Sequence, residues 1–210
     1  MFRALAIALS LAALPALAAQ VVVDRIAARI ENAVITLSDM RELAAFQRLA
    51  GRQPAADPEL LRQLIDQWIV GNDAAAARFP RPSQQQVEGE FEALRKRVGP
   101  PQVFEAQLQE LGLTEKDLRR LIENQIYLDL YLDRKFRAMA RVQPQDVERY
   151  YREVLVPRLQ QGKQPIPPLD DVRDSITDLL LLQDINRRSD LWIQQTRERL
   201  DIEMFPESKP

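Results

Sequence analysis

Two spacings organise the apolar residues of this chain. Period two occurs in Val21–Thr36, where Ile26, Ala28 and Ile30 alternate with Arg25, Ala27 and Arg29. That alternation predicts a half-buried strand. Glu31-Asn32 fits a tight turn, Asn being tolerant of positive φ, and Ala33–Ile35 fits the return strand. A second extended run, Ile202–Phe205, lies near the other end. A lone strand leaves its N–H and C=O groups unpaired, so the two ends are expected to meet in one small sheet.

Everything between repeats every three to four residues. Thr36-Leu37-Ser38-Asp39 reads as a capping box opening a helix that runs to about Ala50, before Gly51. Asp57-Pro58 opens a second, with Asp57 as N-cap and Leu60, Leu61, Leu64, Ile65, Trp68 and Ile69 on its apolar face. Ser83–Gln86 caps a third carrying Val87, Phe91, Leu94 and Val98, broken by Gly99-Pro100-Pro101. A short fourth, about 102–111, presents Phe104, Leu108 and Leu111 and closes at Gly112. Thr114–Asp117 caps a long fifth helix to about Ala140, lined by Leu118, Leu121, Ile122, Leu132, Phe136 and Met139. Tyr127, Leu130 and Tyr131 lie off that stripe. Helix 145–154 follows, and the Pro-rich stretch 155–169 reads as a linker.

The last helix, about 170–200, is the least ordinary. Val172, Ile176, Leu179, Leu180, Ile193 and Leu200 share one broad face, while Leu181, Ile185 and Trp192 fall nearly opposite. A helix apolar on two sides needs cover on both. The fold expected is therefore mainly α: a multi-helix module with a small β-sheet made by the N-terminal hairpin and the C-terminal strand.

The first residues change the picture of where the chain works. Met1-Phe2-Arg3 is a basic start, Ala4–Leu14 is apolar, and Ala16-Leu17-Ala18 is a small-x-small cleavage site. Residues 1–18 thus read as a secretion signal, cut between Ala18 and Ala19, and the run is too short to span a bilayer comfortably. Losing the first 18 of 210 residues leaves 192 and, with Arg3 gone, moves the formal charge from −2 to −3. So small an imbalance gives no reason to expect nucleic acid or an anionic surface as partner. Cysteine and histidine are both absent. The first excludes a disulfide scaffold; the second excludes Ser-His-Asp and Cys-His catalysis and His-based zinc sites. No cofactor or metal is expected, and a bacterial periplasm is the natural setting for an exported chain of this kind.

Four segments carry a resemblance. Val22–Thr36 with the following Leu37–Met40, Leu60–Ile69, Val142–Tyr151 and Trp192–Glu203 come in the order and spacing found in SurA-type periplasmic chaperones. The chain resembles that family over nearly its whole mature length. The resemblance implies a chaperone region over 19–154 and a C-terminal unit, 170–210, packed against it. Family members carry a parvulin prolyl isomerase domain of roughly a hundred residues where this chain has only 155–169, about the length of a long loop. The resemblance therefore implies a chaperone core that is not an enzyme.

The function expected is that of an ATP-independent holdase for unfolded or partly folded exported polypeptides, outer-membrane protein precursors among them, without stable insertion into a membrane. The alternative is a non-enzymatic adaptor or structural subunit of an envelope assembly that binds one folded partner. Client contacts are assigned to Tyr127, Leu130 and Tyr131 on the long helix, with Phe104 and Leu108. The competing reading is that these five are core, which is commoner for apolar residues at helical spacing.

Overall fold

The computed structural model describes residues 24–205. The expected signal segment, with its expected cut between Ala18 and Ala19, lies outside the described residues. The fold is mainly helical with one small antiparallel sheet.

Strand β1 (Ile26–Ile30) is the centre of the sheet, between β2 (Ala33–Thr36) and β3 (Ile202–Met204). Ala28, Arg29 and Ile30 pair with Met204, Glu203 and Ile202, so the two ends of the described chain meet as expected. Arg29 and Glu203 form an exposed ion pair at 2.9 Å, and the Phe205 N–H donates to Ala27 O at 2.9 Å. The simple alternation fails at Ile26. A bulge between Ile26 and Ala28 turns both Ala27 and Ala28 into the core and leaves Ile26 37% exposed. At the turn, Glu31 takes the positive φ, 50°, in the place expected for Asn32.

Helices α1 (Leu37–Leu49), α3 (Gln84–Val98) and α5 (Glu115–Phe136) start at full capping boxes on Thr36/Asp39, Ser83/Gln86 and Thr114/Asp117. Each box satisfies otherwise orphaned N–H groups and is worth about 1 kcal/mol. Helix α2 (Asp57–Ala76) starts one residue earlier than expected, with Ala56 at the N-cap and Asp57 in the first turn. Helix α4 (Pro101–Leu111) ends at Gly112 in the left-handed conformation, φ 68°.

Two apolar clusters fill this body. One joins the sheet, α1, α2, the second half of α5 and Ile193. The other joins α1, α3, α4 and the first half of α5, around Phe91, Phe104 and Leu118. Helix α5 is therefore covered by a different cluster on each half, and Met139, beyond its end at Phe136, is exposed.

A smaller two-helix arm follows. Helix α6 (Pro144–Tyr150) passes through a π turn, Tyr151–Leu155, into α7 (Val156–Gln161). The expected linker 155–169 is thus helical as far as Gln161. Pro157 sits in the first turn of α7 and has no N–H for the carbonyl four residues back; the helix widens just before it, with Val156 N–H donating to Tyr151 O. The Tyr151 hydroxyl donates to Pro167 O at 2.8 Å and pins the returning loop.

Helix α8 (Leu169–Arg197) pairs its first half with α6, its middle with α5 and its end with α2. Its covered positions recur in pairs every four residues, from 172/173 and 176/177 through to 196/197. On a helix of 3.6 residues per turn, such a stripe advances about 40° per step. The two opposite faces read from sequence are one stripe winding round the helix, and Leu179, which lies off it, is exposed.

Candidate functional site

The sequence-assigned client residues separate cleanly. Phe104 and Leu108 are buried; the Phe104 ring meets Phe91 edge-on at 5.8 Å. Tyr127 and Tyr131 are 2% and 7% exposed. These four are core, which corrects the assignment of their side chains to a client-facing surface. Leu130, 38% exposed, is the one of the five left at the surface.

The reason the tyrosines are buried lies some fifty residues upstream. At the end of α2, the Arg78 N–H donates to Ala75 O and the Phe79 N–H to Ala74 O, with Arg78 at φ 54°. This turn carries Phe79 inward. Its ring stands 5.8 Å from that of Tyr127 and 5.4 Å from that of Tyr131. The Tyr127 hydroxyl donates to Phe79 O at 3.4 Å, and the Tyr131 hydroxyl donates to Asp73. Lys135 also donates to Asp73 and lies 3.9 Å over the Trp192 ring. Burial pushes the Asp73 carboxyl up, but the bonds from Lys135 and Tyr131 outweigh it and hold it below the ordinary range. Burial and the Asp73 contact raise the Tyr131 phenol.

What α5 leaves open is its remaining face, and a groove follows it. A cavity of about 270 Å³ lies against α1 and α2 over Leu43, Val70, Leu121 and Leu128. A second, about 350 Å³, lies toward α3 over Leu94, Ile122 and Ile126. The two share Phe46, Arg52, Gln125 and Asp129. A third, about 490 Å³, adjoins at Leu130 and is closed by Phe79, Pro80, Arg81 and Pro82. Leu130 is thus the rim between two cavities.

The rim is polar, and much of it is uncommitted. Asp129 has no hydrogen-bond or ion-pair partner among the described residues. Its side chain reaches water, yet the concave surroundings desolvate it and raise its carboxyl above the ordinary range. Asp66, by contrast, is held by Arg62 at 3.0 Å and by the Arg197 Nε at 3.0 Å. Burial still raises its carboxyl, against the pull of Arg197.

A separate cavity of about 430 Å³ lies in the arm between α6 and α8, over Val142, Tyr150, Val154 and Leu180. Val154, Ile166, Leu179 and Leu182 are exposed around the arm. Among the described residues, no cluster of His, Cys, Asp and Glu could hold a metal ion, and no helix is long and apolar enough to cross a membrane.

Sequence reasoning missed Arg52 and Arg81 as groove residues; Asp129 and Arg134 read from the sequence as charges flanking Tyr127, Leu130 and Tyr131. Arg81 stands between Pro80 and Pro82, which restrict the backbone around it, a pattern that also simply ends a helix. No protein-family model matches the chain, and no curated protein sequence matches it.

Proposed function

We propose that the protein is an ATP-independent periplasmic holdase, which binds unfolded or partly folded exported polypeptides and does no chemistry on them. The observation that carries this reading is the groove along α5, three adjoining cavities with an apolar floor and a polar rim that is in part uncommitted. Apolar side chains of an extended segment need such a floor, and its exposed backbone N–H and C=O groups need polar partners near it. The signal-like start and the resemblance to SurA-type chaperones support the same reading.

The test is aggregation suppression. The mature protein should keep several unrelated unfolded proteins soluble at near-stoichiometric amounts without ATP. Suppression of none of them sinks the proposal. A protease-coupled prolyl peptide assay should show no rate above background.

The arm favours a second reading. Its exposed Val154, Ile166, Leu179 and Leu182 surround few buried residues, as on a surface that docks on one folded partner of an envelope assembly. Crosslinking in the periplasm separates the two: many unfolded clients support the holdase, one stoichiometric partner the adaptor.

A further inference from the structure

The cavity at Leu130 differs from its neighbours in charge. The first two carry both signs, Arg52 beside Asp129 and Arg97 beside Glu90. The third is lined by Arg81, Arg134 and Arg137 against the single carboxylate of Asp133. Asp133 is already engaged by Arg137, with contacts of 2.6–3.1 Å. Arg134 has no partner among the described residues. The chain as a whole is acidic, with a pI of about 5.4, so this concentration of cations does not follow from composition.

Arg81 is also oriented by stacking. It stands between Pro80 and Pro82, and its guanidinium lies 4.1 Å over the Tyr127 ring. That ring is anchored in turn through Phe79. A guanidinium stacked by its face keeps the N–H donors on its edge available, and a side chain already oriented by stacking loses less entropy on binding. The wall beside it is apolar: Leu130, Pro82 and Ala138.

We infer that this cavity recognises an acidic stretch of an extended polypeptide, with a carboxylate taken by Arg81 and Arg134 and a neighbouring apolar side chain laid on Leu130. The inference rests on the holdase reading and narrows it, because it gives the groove a preferred client chemistry. The tyrosines once assigned to client contact acquire a different part here: Tyr127 supports the arginine that makes the contact.

The test uses short labelled peptides with the same apolar residues, flanked by Glu, Gln or Lys, and fluorescence anisotropy with the mature protein. The Glu peptide should bind about tenfold more tightly than the Gln peptide, the equivalent of one good charge-assisted hydrogen bond, and added salt should erode the difference. Arg81→Gln with Arg134→Gln should abolish the preference, and Arg41→Gln, exposed on α1 and lining none of the three cavities, should keep it. Leu130→Glu, on the exposed rim, is the second variant if the double change perturbs folding; it should repel the Glu peptide. Equal binding of all three peptides, or a preference that survives both variants, overturns the inference. So does displacement of the Glu peptide by inorganic phosphate or anionic vesicles as readily as by unlabelled peptide. Aggregation suppression is measured alongside. Suppression without the preference removes this inference alone. The preference without suppression leaves the site standing and removes the broad chaperone reading.

Discussion

The body and the arm are both helical, yet they are held together in different ways. In the body, α5 is covered by two apolar clusters, and Phe91, Phe104, Ile30, Leu118 and Val70 are almost wholly removed from water. Between Arg141 and Asp184, only Val147 and Ile176 are buried. The arm is tied instead by polar contacts: Tyr151 to Pro167, and Asp184 to the Arg141 N–H at 3.2 Å. Exposed polar contacts contribute little each, whereas buried apolar area contributes in proportion to its extent. The body should therefore open only with global unfolding, and the arm by local opening at much lower free energy. A region that opens easily can adapt to a partner, and a rigid one can hold a groove in shape.

The largest expected effect lies in the body. Phe91→Ala removes a ring that is 1% exposed and packed on Phe104, and should cost about 3–5 kcal/mol in a denaturant titration. Truncation after Asp201 removes β3 and its pairing with Ala28–Ile30. It should cost about 1–3 kcal/mol and strip protection from the β1 amides in hydrogen exchange. If those amides stay protected, the terminal strand is dispensable to the body.

Ile176→Ala should act differently. Exchange should accelerate across the α6 and α7 amides while the main unfolding transition moves little. A shift of the main transition as large as that of Phe91→Ala would make body and arm one cooperative unit and break the comparison.

Acid sharpens the same contrast at the arm's base. Hydrogen bonds from Arg188 and Arg187 pull the Asp184 carboxyl from its ordinary 3.8 to about 2. A depressed pKa means that this group's contribution is complete above the unfolded value near 3.8 and is lost as pH falls toward 2. Asp184→Asn should remove that part of the acid dependence of arm protection and leave the body amides unchanged. The smallest effect belongs to Arg78, which holds a left-handed φ of 54° at a position that favours glycine. Arg78→Gly should raise the stability of the body by about 1 kcal/mol, read as a small rise in Tm.

Much of the architecture was legible because its signals are short-ranged. Each of the boxes at Thr36/Asp39, Ser83/Gln86 and Thr114/Asp117 is completed within four residues, and Gly112 stops α4 through its own φ. The hairpin and the orphan strand implied one another because unpaired backbone must find partners. The site was less legible. Tyr127 and Tyr131 read as surface because they leave the main stripe of α5, but a helix stripe says nothing of a loop from elsewhere in the chain. Phe79 supplies that cover through a turn around Arg78, a residue with no glycine signature to advertise it.

The sequence by itself determined most of the elements, the capping boxes of α1, α3 and α5 and the pairing of β1 with β3, since those follow from backbone chemistry and apolar spacing; it did not determine the N-cap of α2 or the helix within 155–161. Tertiary structure decided which apolar faces are covered. It wound the buried stripe of α8 around three partners in succession, buried two tyrosines and left Leu130 at the rim of a cavity. Burial is a property of two surfaces in contact, and a sequence pattern describes only one of them at a time.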